Sequence, residues 1–116
     1  MQGRQIIKER QRAYAQELLT GLRQELTERD VPVVLGVTTD GRPALEVTDS
    51  QGRLRWIFAH LPFCWFYWGD QQNERVSFLR LPAAADRITE AARDGWREGD
   101  QGELGIDLSK IADAYR

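Results

Sequence analysis

The sequence predicts an α+β domain: an antiparallel meander sheet of four or five strands flanked by a long N-terminal helix and a second helix, with a short amphipathic C-terminal tail. Three observations carry that reading. Apolar residues recur at helical spacing over residues 4–30, the period changes to two from residue 33, and turn pairs such as Asp40-Gly41 divide the alternating stretch at hairpin distances.

The first helix takes its apolar stripe from Ile7, Tyr14, Leu18, Leu22 and Leu26, widened by Ala15 and Leu19. Gly21 costs some helix stability without breaking so long a segment. Glu25 and Arg29 stand four apart as a favourable pair, and Pro32 ends the helix. Val33, Leu35 and Val37 then alternate with Val34, Gly36 and Thr38 as a first strand. Leu45 and Val47 continue beyond the Asp40-Gly41 turn, and Asp49-Ser50-Gln51-Gly52 turns the chain into a third strand, Arg53 to His60. There Leu54, Trp56 and Phe58 point one way, Arg53 and Arg55 the other. Phe63 to Trp68 forms a fourth strand, and Arg75 to Arg80 a candidate fifth. Pro82 suits the first turn of the second helix and Gly95 the position just past its end, with Ala84, Ile88, Ala91 and Ala92 as its apolar stripe.

These elements group residues 1–96 into a single domain. Residues 97–116 read as a flexible acidic link and an amphipathic tail, in which Leu104, Leu108, Ile111, Ala112 and Tyr115 share one side of a short helix. The tail is expected to pack on the domain or on a partner.

Composition excludes several roles. A net charge of −2, from 16 basic and 18 acidic residues, does not suit a protein whose main task is neutralising phosphates. The one cysteine allows no internal disulfide, and no stretch approaches the ~20 apolar residues of a membrane span. A cytoplasmic protein without a membrane partner is the expectation.

No catalytic constellation is visible. Cys64 and His60 are the sole candidate thiol–base pair, but Cys64 sits in a run of Pro, Phe, Trp and Tyr, where a cysteine is a small hydrophobe. One Cys and one His cannot furnish a zinc site, and the glycines at 95, 99 and 102 follow no strand and lie among acids. Neither metal nor cofactor is expected, and the chain is read as not an enzyme. Helix–three strands–helix is also the order of the double-stranded RNA-binding domain. The Gly-Pro-X-His turn and helix-opening lysine cluster of that family are replaced here by Thr39-Asp40-Gly41-Arg42-Pro43 and Pro82-Ala83-Ala84-Ala85-Asp86. Arg4, Lys8 and Arg12, four apart on one helix face, are the best basic feature, read as a solvated face more readily than as a nucleic-acid contact.

The run Phe63-Cys64-Trp65-Phe66-Tyr67-Trp68 is the most informative stretch. Alternation puts Phe63, Trp65 and Tyr67 on one face of the sheet and Cys64, Phe66 and Trp68 on the other, with Ile57 and Ala59 adding to the second. Both faces are apolar, and one helix layer cannot hide both. Ile57, Cys64, Phe66 and Trp68, with Leu108, Ile111 and Tyr115 of the tail, are therefore the candidate partner-binding residues. Arg53 and Arg55 are expected nearer a polar rim. The function expected is a non-catalytic protein-interaction module: a small regulator, adaptor or chaperone-like protein, binding a protein partner or a second copy as a homodimer. In size, acidity and element order the chain is loosely similar to type III secretion chaperones, with no motif to carry the likeness. The alternatives are a small-molecule sensor or carrier using the aromatic cluster, and a nucleic-acid binder using the basic first helix.

Overall fold

The computed structural model describes residues 2–99, with side chains from residue 8 onward. The order is α1 (Gln2–Glu28), β1 (Val33–Val37), β2 (Pro43–Thr48), β3 (Leu54–His60), β4 (Trp65–Tyr67), β5 (Arg75–Ser77) and α2 (Leu81–Asp94), with a 3-10 turn at Gln72–Glu74. The five strands form one antiparallel sheet in sequence order, a meander. The expected α+β architecture is the observed one. Leu108, Ile111 and Tyr115, together with the helix expected around them, lie outside the described residues, as does the side chain of Arg4.

The turns form where local chemistry allows. Gly41 takes φ 86° and donates to Thr38 O, while Thr38 N–H bonds Arg42 O across the first hairpin. Gly52, at φ 80°, does the same for the second, donating to Asp49 O. Helix α2 ends at Gly95, φ 93°, whose N–H bonds Ala91 O at 3.0 Å.

Both helices lie on one face of the sheet. Leu19, Leu22 and Leu26 of α1 and Ala84, Ala85 and Ile88 of α2 pack with Leu45, Val47, Ile57, Phe66, Trp68 and Phe78 in a single core. The helices cross closely at Gly21, where a Cβ would stand 2.7 Å from Leu81 Cδ1. Helical periodicity therefore located α1 correctly but not the reason for its glycine. Residues 8–14 of α1 are all exposed, so the buried stripe starts only at Ala15.

Candidate functional site

The cross-strand register determines which side chains share the other face. Val34 pairs with Glu46, Glu46 with Trp56, Phe58 with Tyr67, His60 with Trp65 and Tyr67 with Arg75. Ala44, Phe58 and Tyr67 form a second buried cluster with Trp56 and Trp65 packed against it, and among the described residues no apolar helix side chain belongs to it. Phe58 and Tyr67 stack with ring centroids 5.5 Å apart. Two guanidinium groups lie on the rings: Arg42 is 4.7 Å from the Phe58 centroid and Arg75 4.3 Å from that of Trp65. At the upper end His60 stacks on Phe63, centroids 4.7 Å apart, and Phe63 is half-exposed.

This exchanges the roles of the two faces relative to the sequence expectation. Ile57, Phe66 and Trp68 are at most 2% exposed beneath the helices, so they are core residues rather than a surface that a partner could reach. Cys64 is half-buried and packs against the same core. Val34 belongs to the aromatic face and is largely exposed. Arg55, expected on a rim, points into the helix side and is buried, donating from Nη2 to the carbonyls of Arg97 and Gly99. Backbone carbonyls can satisfy a buried guanidinium as well as water does, and no alternation pattern registers that.

A polar joint missed from sequence closes the lower end of the helix side. Asp49 is buried, and its carboxylate accepts the N–H groups of Gln51, Arg53 and Trp96 at 2.7–2.9 Å, plus Arg53 Nε at 3.2 Å. Burial alone would raise its pKa, but the backbone donors and Arg53 together hold it below the ordinary carboxylate value. Trp96, anchored by its Nε1–H to Arg53 O, packs 6.3 Å from Trp68. Beside it Arg97 bridges the buried Glu74 and the more exposed Asp70. The readable signal was Asp at the head of a turn; its reach to Trp96, 47 residues on, was not.

The thiol and imidazole do not come together as a catalytic pair. Cys64 Sγ–H is directed to Leu61 O at 3.6 Å on the core side, whereas His60 sits among Phe63, Trp65 and Tyr67 and its Nδ1 accepts the Phe63 N–H. Burial lowers the His60 pKa, so the ring is neutral at pH 7. Among the described residues no three His, Cys, Asp or Glu side chains are grouped to hold a metal ion, and no helix is long and apolar enough to cross a membrane. Lys8 and Arg12 are exposed on α1. No protein-family model, curated protein or solved structure matches this chain.

Proposed function

We propose that the protein is a non-catalytic interaction module that pairs with a second copy of itself through the aromatic face of its sheet. One observation supports this above others: both helices pack on the Ile57–Phe66–Trp68 side, and among the described residues no apolar helix side chain joins the aromatic cluster opposite. Trp, Tyr and Phe are the side chains that enrich the centres of protein interfaces, and Arg is the charged residue most at home beside them. The face is also self-complementary in charge. Glu46 stands on β2 and Arg75 on β5, at opposite sides of the cluster, so a two-fold pairing sets each acid against the other copy's cation. A role as a small regulator, adaptor or chaperone-like protein follows from such a surface.

Light scattering on the purified chain tests the reading. The parent is expected at twice the chain mass, and Trp65→Glu, which places a charge on the half-buried centre of the face, is expected to give a folded monomer. A parent that stays monomeric at every concentration, or a Trp65→Glu variant that stays dimeric, would remove this reading.

A further inference from the structure

We infer that residues 104–108 of this chain add to the free edge of β1 as a further strand of the sheet, running parallel to it. β1 is an outer strand, hydrogen-bonded to β2 on one side. Across that hairpin Thr38 N–H bonds Arg42 O and Thr48 N–H bonds Pro32 O, so residues 32, 34, 36 and 38 turn their backbone groups toward β2. The N–H and C=O groups of Val33, Leu35 and Val37 therefore point outward. Among the described residues none of these groups has a hydrogen-bond partner.

This edge lacks the devices that keep strand edges from pairing. The run Val33-Val34-Leu35-Gly36-Val37 has no charge and no proline. Pro32, just before it, lacks its N–H on the inner side, toward β2, and leaves the outer side open. Val34 on one face and Val37 on the other are 63% and 67% exposed. The opposite edge of the sheet differs, because β5 is three residues long and opens with Arg75. An apolar edge of five residues calls for a strand of similar length and character.

The run Leu104-Gly105-Ile106-Asp107-Leu108 has that length and alternates with period two. Leu104, Ile106 and Leu108 fall on one side, matching Val33 and Leu35, which pack against the helix-side core, and Val37 beyond them. Gly105 and Asp107 then fall on the aromatic side, beside Val34 and Gly36. From Leu108 onward the spacing becomes helical, through Ile111 to Tyr115. Reach agrees with pattern. The last described residue is Gly99, whose carbonyl accepts from Arg55 Nη2 at 3.2 Å. Arg55 is in register with Val47, and Val47 with Val33, so the tail starts level with the first residue of β1. The free side of β1 lies three strand spacings from β3, about 14 Å, and residues 100–103 span about 14 Å when extended. Arriving at the Val33 end, the tail runs along β1 in parallel. With Ile106 opposite Leu35, Gly105 O accepts the Leu35 N–H and the Asp107 N–H bonds Leu35 O, the slanted pattern of a parallel pair. The added strand leaves the aromatic cluster uncovered, so this inference goes beyond self-pairing and does not depend on it.

Amide hydrogen exchange in the full chain, followed by NMR, tests the strand, with Asp107→Pro as the variant that removes its central donor. The Val33, Leu35 and Val37 N–H groups are expected to exchange at least about tenfold more slowly in the parent than in Asp107→Pro. NOE contacts between the Ile106 and Leu35 side chains should accompany that protection. Gly36, whose N–H faces Ala44 inside the hairpin, should be equally protected in both proteins and shows that the substitution leaves the fold intact. Trp65→Glu, which separates paired copies, should keep the edge protected, so failure of self-pairing and failure of the added strand are read separately. The inference is overturned if the three amides exchange freely in the parent, or if Asp107→Pro leaves them equally slow. Protection lost in Trp65→Glu would make a second copy the occupant, and tail contacts at Arg75 and Ser77 would place the strand on β5; either result overturns it as well.

Discussion

The two faces of this sheet are both apolar, but they are finished by different means. On the helix side, aliphatic side chains from α1 and α2 interlock with Ile57, Phe66 and Trp68, and the small residues Ala84, Ala85 and Gly21 let the layers approach. On the aromatic side rings stack across strands and guanidinium groups lie on them. A layer of interdigitated helices excludes water from whole side chains, whereas a stacked ring with a cation over it still shows an edge to solvent. The first face is packed for stability, and the second is the one proposed above for contact.

Truncating one large ring on each face breaks the comparison most directly. Phe66 is completely buried between Phe78 and the helices, so Phe66→Ala should destabilise the fold by about 3–5 kcal/mol in chemical denaturation. Trp65 is larger but half-buried, with the Arg75 guanidinium at 4.3 Å and the half-exposed Phe63 ring at 4.8 Å as neighbours, so Trp65→Ala should cost less, about 1 kcal/mol. Equal losses would mean that the aromatic face is as much a core as the other.

The polar residues separate the faces by pH. Asp49→Ala should cost about 2–3 kcal/mol, because Gln51, Arg53 and Trp96 lose a buried acceptor together. The folded pKa of Asp49 is below its unfolded one, so its stabilisation is complete above the ordinary aspartate pKa of about 4 and is lost as pH falls through the folded value. His60 on the aromatic face is depressed by burial, so the unfolded chain binds the proton more readily, and stability should begin to fall below about pH 6.5. In a urea-midpoint profile against pH, His60→Gln should remove the upper step and leave the lower. Loss of the lower step instead would show that the assignments are reversed.

Much of the fold was legible because its signals are local. The 3.6 period from Leu18 to Leu26, the Asp40-Gly41 turn and the Pro82 and Gly95 boundaries each depend on neighbours in sequence, and each is found where expected. The aromatic run was also correctly marked as the place where two apolar faces compete. Alternation assigns residues to faces but carries no information about which face the helices choose. Arg55 argued for the wrong side, since its partners, the carbonyls of Arg97 and Gly99, lie more than 40 residues away in sequence. Trp96 stood outside any periodic segment, and Arg42 read as a turn residue. The site residues were obscured because their meaning is set by long-range packing.

Two glycines, one on each face, provide the finest probe of the difference. Gly36 on β1 belongs to the aromatic side, where an added Cβ would sit 3.4 Å from the Trp56 ring, an ordinary contact. Gly36→Ala should therefore stabilise the protein by about 0.5 kcal/mol, because the unfolded chain loses freedom and the ring gains a neighbour. Gly21 sits mid-helix, where Ala is intrinsically better by about 1 kcal/mol. Its Cβ would meet Leu81 Cδ1 at 2.7 Å, so the Leu81 side chain must rotate out of the α1–α2 contact to admit it. That movement offsets the propensity gain, and Gly21→Ala should be neutral or slightly destabilising despite the better helix former. Thermal unfolding of the two variants side by side decides the matter. If Gly21→Ala delivers the full stabilisation of its helix propensity, the helix side has slack where close packing was inferred. If Gly36→Ala destabilises instead, the aromatic side is the tighter of the two, and the contrast between a packed face and a contact face does not hold at the level of single methyl groups.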